Sequence, residues 1–179
     1  MKIKHFFYLC FLATFALVSG CETMPDPKTE LTATAPMNGE WWVSIYVDDD
    51  PDTPGNQLVD VGGGYYHFIT YNTAANKPDS LWMDDFGGIW PMNCKVGLNL
   101  SSKSFTATNA RNLATDDLET PEIEETINVT NGKVLSKALT TPNKNVTDSI
   151  YFEAEFSSDP GTIYVFGGYR RTQFKEDDH

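Results

Sequence analysis

The sequence predicts an all-β fold, an antiparallel up-and-down barrel of about eight strands. Three observations carry this reading. Apolar and polar residues alternate with period two through several segments, no segment holds a sustained 3.6-residue apolar period, and turn dipeptides punctuate the runs. Consecutive strands joined by tight turns form a meander whose apolar face must be buried. Closure into a barrel buries it and removes exposed sheet edges. A two-sheet β-sandwich is the alternative.

Each element follows in order. Trp41, Val43, Ile45 and Val47 are apolar on one parity and make the first strand. The segments 64–71 and 80–85 are weaker candidates. Trp90, Met92, Cys94, Val96, Leu98 and Leu100 alternate with Pro91, Asn93, Lys95, Gly97 and Asn99, a half-buried strand with one wet face. Candidates at 103–108, 123–130 and 133–139 follow, the last two joined by Asn131-Gly132, the strongest two-residue hairpin signal in the chain. Ile150, Phe152, Ala154 and Phe156 mark another strand, and 162–171 the last. Gly87-Gly88, Ser101-Ser102 and Asp159-Pro160-Gly161 read as turns, and Gly62-Gly63-Gly64 as a bulge or tight bend. One short helical turn is expected within 109–118. The stretches 48–60 and 109–121 are long for a tight barrel, which makes them candidates for function.

The N-terminus carries an address. Lys2 and Lys4 precede an apolar run from Phe6 to Val18, too short to span a bilayer, which needs about 20 residues. A basic start, a short apolar middle and small residues after it form a secretory leader over 1–20. The run ends Leu17-Val18-Ser19-Gly20-Cys21, which resembles a bacterial lipobox. That implies acylation of Cys21, an anchor to which each buried CH₂ contributes about 0.8 kcal/mol. Residues 21–37, with three prolines and four threonines after Cys21, read as a lipidated cysteine and tether. The barrel domain is then expected over 38–174, with 175–179 a frayed acidic tail. The expected location is the cell envelope, as an outer-membrane lipoprotein.

Composition excludes several functions. Formal charge is −12, and losing Lys2 and Lys4 with the leader leaves it near −14, so phosphate recognition and a nucleic-acid partner are not expected. Three cysteines and three histidines leave little for a metal cluster, and no metal or other cofactor is expected. Only Cys94 falls in the barrel domain, read as a buried, inert thiol.

Candidate reactive groups are weighed singly. Asp48, Asp49, Asp50 and Asp52 begin like an EF-hand loop, but Thr53 and Val59 stand where glycine and glutamate are needed. A solvated loop is the reading. Asp84 and Asp85 point to opposite faces of a strand, so an acid/base pair would need Glu153 or Glu155 from elsewhere. His67 is the one plausible general base, without a Gly-x-Ser-x-Gly elbow, and a wall position is favoured for it. No catalytic residue is assigned. Aromatic residues are in surplus on both parities of several strands. Trp42, Tyr46, Tyr66, Phe68, Trp82 and Tyr164 are the candidate ligand-binding wall, because apolar sites with tyrosine hydroxyls suit amphipathic ligands.

Gly39-Glu40-Trp41 opens the first strand and Arg170-Arg171 ends the last. This is similar to the lipocalin Gly-x-Trp pattern, in which an arginine lies over the tryptophan at the closed end. The resemblance gives Gly39, Trp41 and Arg170 a barrel-closing role, with cation–π contact as its physics. Asn38 to Val43, Leu81-Trp82-Met83-Asp84-Asp85, Trp90 to Val96 and Ser104-Phe105-Thr106 resemble a family of gut-bacterial lipoproteins described as lipid-binding putative hydrolases and considered lipocalin-like. The resemblance implies a barrel that binds a small hydrophobic or amphipathic molecule, tethered to a membrane by its lipid. Two alternatives stand beside it: an accessory surface subunit of a glycan or nutrient uptake complex, with a glycan or protein partner, and a hydrolase whose site is unidentified.

Overall fold

The structure, a computed structural model, describes residues 30–48, 58–88, 90–115 and 125–179. The leader, Cys21 and the aspartates at 49, 50 and 52 lie outside the described residues. Thr32–His179 forms one unit with its own core, and of the preceding unit only Glu30 and Leu31 are described.

The described elements are β1 (Gly39–Asp48), β2 (Leu58–Asp60), β3 (Tyr66–Asn72), β4 (Ser80–Asp84), β5 (Asn93–Asn99), β6 (Ser104–Arg111), β7 (Thr126–Thr140), β8 (Val146–Phe156) and β9 (Tyr164–Arg170), with a 3-10 turn at Lys175–Asp177. All strand pairs are antiparallel, in the order β1-β3-β4-β5-β6-β7-β8-β9, and β9 pairs back onto β1 to close the barrel. This is the eight-stranded meander that the sequence predicts.

The ninth strand, β2, is not in that prediction. It pairs with β1 on the same edge as β3, at Tyr46↔Asp60, Val47↔Val59 and Asp48↔Leu58, while β3 starts at Val43↔Tyr66. β2 and β3 therefore act as one strand broken by the Gly62-Gly63-Gly64 segment, where Gly63 and Gly64 have positive φ. Asp60 Oδ1 accepts the Gly62 and Gly63 amides and holds the bend. Three exposed residues carried too little pattern to read as a strand.

Alternation sorts the side chains. Trp41, Val43 and Ile45 of β1, Phe68 of β3, Leu81 and Met83 of β4, Cys94 and Val96 of β5 and Phe105 of β6 face inward. Ile127, Val129 and Val134 of β7, Ile150, Phe152, Ala154 and Phe156 of β8 and Tyr164 and Phe166 of β9 complete the core. Phe152 lies at its centre, stacked on Phe166 at 4.4 Å between ring centroids and tilted against Phe68 and Phe105. The middle of the barrel is packed shut.

Four sequence expectations change. Asn131-Gly132 is not a hairpin turn but a bulge inside the continuous strand β7, between Thr130↔Glu153 and Lys133↔Tyr151. Asn131 adopts φ 54°, which serves a bulge as well as a tight turn. Gly132 presses against the Phe105 backbone and ring, where a Cβ has no room. The helical turn is absent from the described part of 109–118: β6 runs through Arg111 and an irregular turn follows. The domain also begins before residue 38. Thr34 and Met37 are fully buried at the closed end, with Met37 and Asn38 amides bonded to Thr34 O, so the last part of the expected tether is a plug.

The 175–179 tail is docked rather than frayed. Asp177 is buried and accepts hydrogen bonds from Asn143, Asn145 and Thr172, and the His179 ring stacks on Tyr65. Asparagine and threonine partners far away in sequence give no local signal of this.

Candidate functional site

The two barrel ends differ. The closed end is built on Trp41, which is fully buried, with its Nε1–H donating to Thr70 Oγ1 at 2.9 Å. Thr70 in turn donates to Met37 O at 2.6 Å. The Arg170 guanidinium carbon sits 4.4 Å from the Trp41 ring centroid. Its NH1 donates to Asn38 O, and its Nε lies 3.3 Å from Asp148. Burial lowers the arginine pKa, and Asp148 works against that. Gly39 leaves the space the guanidinium occupies, since a Cβ there would collide with it.

The other end carries an apolar cleft. Ile45, Val47, Val61, Trp90, Thr162 and Tyr164 line a volume of about 330 Å³. That sits at the low end of small-molecule sites, which run about 300–1,000 Å³. Trp90 forms its inner wall, tilted against Tyr164 and Phe156 at 5.0 and 5.5 Å. The Tyr164 hydroxyl donates to Asp159 at 2.7 Å. Burial and this bond push the phenol up to about 12, so it remains a neutral donor. A separate small recess among Val43, Ile45, Tyr66, His67, Phe68, Asp85 and Phe166 holds only about 10 Å³, too little for a ligand. Leu58, Val59, Val61 and Ile163, all at this end, are each more than two-fifths exposed.

The candidate wall residues divide between two faces. Phe68 and Tyr164 belong to the core, and Tyr66 shares their parity, its hydroxyl bonded to Gly62 O at 2.5 Å. Trp42, Tyr46 and Trp82 take the opposite parity and line the outer surface. Trp42 packs against His67 and His179 there, under the Arg171 guanidinium. Tyr164 alone of the six lines the cleft, joined by Trp90, Val61 and Thr162. Trp90 and Val61 lie where connections meet strands, and strand periodicity does not single them out as site residues.

The candidate reactive groups are dispersed. His67 is on the outer wall, its Nε2 3.8 Å from Glu40 and its ring stacked on Phe86 at 5.1 Å. Asp84 accepts from the Phe86 amide and Asn93, while Asp85 accepts from Gly87 and Met92 amides, so both brace the β4–β5 connection. Glu153 and Glu155 project outward from β8, with three strands between it and β4 by either route around the barrel. Cys94 is in the core, and burial pushes its thiol up to about 12. Among the described residues, no three His, Cys, Asp or Glu side chains converge as a metal site.

The closed β-barrel, its arginine-capped end and its apolar mouth describe a binding fold. No curated protein matches the chain. Over residues 26–175 it matches the family described as lipid-binding putative hydrolase, and it belongs to that family.

Proposed function

We propose that this protein binds an amphipathic lipid at the barrel mouth, with the apolar part of the ligand in the cleft and its polar end in solvent. The observation that carries this is the pairing of an apolar cleft of about 330 Å³ at the mouth with a barrel core of closely packed side chains. Membership of a lipid-binding family supports the ligand class. Trp90 and Tyr164 provide the apolar surface, and Thr162 and the Tyr164–Asp159 pair provide polar contacts at the rim. The ligand would sit across the mouth, unlike a chain threaded down a hollow barrel. Burial of apolar ligand surface contributes about 25 cal/mol per Å² before ordering costs.

We further infer that the leader directs export, that Cys21 carries lipid, and that residues 22–31 tether the domain to the outer membrane. The lipobox-like run Leu17 to Cys21 supports this reading. Metabolic labelling with a clickable palmitate, with and without Cys21→Ala, tests it. Unchanged labelling of the variant would refute it.

The ligand reading is tested by native mass spectrometry of the purified protein, followed by extraction and titration with a fatty-acid and bile-acid panel. A stoichiometric bound amphiphile, lost in Trp90→Ala, is expected. An apo mass unmoved by the panel would contradict the reading.

A further inference from the structure

The two ends of the barrel differ in charge as well as in packing. Four chain segments join strands at the mouth: 49–65, 85–92, 112–125 and 157–163. Together they hold about half of the chain's 25 acidic residues and none of its 13 lysines and arginines. The segments that join strands at the closed end, 73–79, 100–103 and 141–145, each carry a lysine: Lys77, Lys103 and Lys144. Arg170 and Arg171, at the end of β9, lie at that end too. Arg111 ends β6 at the mouth, but β6 stands opposite β1 in the eight-strand order, across the barrel from the cleft.

Neutral groups hold the carboxylates beside the cleft residues. Asp159 accepts from the hydroxyl of Tyr164, which lines the cleft, at 2.7 Å. Asp60 precedes Val61, another lining residue, and accepts the Gly62 and Gly63 amides. Glu125, on the neighbouring segment, accepts from Asn112 and Ser158. Amides and hydroxyls fix a carboxylate in place without cancelling its charge. The closed end is built the other way, with Asp148 on Arg170, and Glu40 and Asp178 on Arg171.

We propose that the mouth cleft prefers an amphiphile with a cationic head, a long-chain amine or quaternary ammonium, to one with an anionic head. This rests on the lipid reading above: the cleft supplies the apolar site, and the charge around it sets the preference. With its chain against Ile45, Val47 and Trp90, the ligand brings its head to a rim of one sign of charge. A cleft with low-dielectric walls focuses such a field, which draws in a cation and opposes a carboxylate. The rings of Trp90 and Tyr164 add π faces, which attract a cation, an ammonium included. An anionic amphiphile still binds through its chain, more weakly.

The test titrates the purified protein with dodecyltrimethylammonium, monododecanoylglycerol and dodecanoate by calorimetry, each below its micelle-forming concentration and at low ionic strength. All three are expected to bind, the ammonium about tenfold or more tighter than dodecanoate and the neutral ester between them. In about 0.5 M salt the ratio should fall to about threefold or less, because the Debye length shrinks to a few Å. Trp90→Ala should abolish binding of the ammonium. Thr162→Trp, which fills the cleft without cutting a core contact, is the second variant should Trp90→Ala fail to fold. Dodecanoate bound as tightly as the ammonium overturns the proposal and leaves the lipid reading standing, as does a ratio unmoved by salt. Absence of binding by all three removes the lipid reading itself, and this preference with it. Ammonium binding that both variants leave unchanged would place the cation elsewhere on an acidic surface, which also overturns the proposal.

Discussion

The Arg170 guanidinium lies 4.4 Å from the centre of the Trp41 ring, so the last strand of the barrel caps the first. Trp41 is fully buried under it, and two groups hold the guanidinium, Asn38 O and Asp148, in the space that Gly39 leaves. Lysine could retain the charge but not the flat fork that serves all of these at once. Arg170→Lys is predicted to lower stability by about 1–2 kcal/mol and Trp41→Ala by about 3–5 kcal/mol. Urea denaturation followed by circular dichroism checks both, and equal stability of Arg170→Lys and wild type would deny the fork its role.

Adjacent glycines on β9 should respond in opposite ways. Gly168→Ala forces the β1 and β9 backbones apart and should cost about 2 kcal/mol or more, as overpacking does. Gly167→Ala adds a methyl to open space and restricts the unfolded chain, so it should be neutral or stabilising by about 0.5 kcal/mol. Paired denaturation curves decide, and a Gly168→Ala protein as stable as Gly167→Ala would contradict the close approach.

The docked C-terminus should release in acid. Burial alone would raise the Asp177 pKa, but hydrogen bonds from Asn145, Asn143, Thr172 and Thr141 outweigh it and bring the carboxyl from 3.8 down to about 2. A depressed folded-state pKa means stability that is fully present above about 4 and lost as pH falls through about 2. Asp177→Asn should flatten the stability profile across that window, while leaving it unchanged in shape above pH 5 or so. Thermal melts of both proteins at stepped pH provide the measurement.

Cys94 should be silent in the native protein. With its thiol buried and its pKa pushed up to about 12, thiolate is scarce at pH 8. Iodoacetamide should leave the Cys94 peptide unmodified in native protein and label it fully in guanidinium chloride, as read by peptide mass spectrometry. Rapid native labelling would place this residue outside the core.

Much of this fold was legible because barrel strands repeat at period two. The run Ile150, Phe152, Ala154, Phe156 has one reading, and all four residues are core. Where both parities are aromatic, the pattern loses its meaning. Trp41 and Trp42 are neighbours in sequence, and only pairing with β3 and β9 puts Trp41 inside and Trp42 against His67. That is why the sequence alone does not separate Trp42, Tyr46 and Trp82 from Tyr66, Phe68 and Tyr164. Asn131-Gly132 misled for a different reason: an asparagine at positive φ before glycine satisfies a bulge and a hairpin alike. The mouth cleft was hidden because Val61 comes from a connection, and because the alternation that places Trp90 on an apolar face does not tell a mouth residue from a core one.

The central claim is that lipid binds across the mouth of a filled barrel. The most direct measurement titrates isotope-labelled protein with a spin-labelled fatty acid and follows paramagnetic broadening residue by residue. The account predicts strong broadening at the Trp90 indole, Thr162 and Tyr164, with Trp41 and Phe152 unaffected. Broadening that reaches Phe152 and Trp41 would mean the interior opens to hold the chain, and uniform absence of broadening would mean that no lipid binds there.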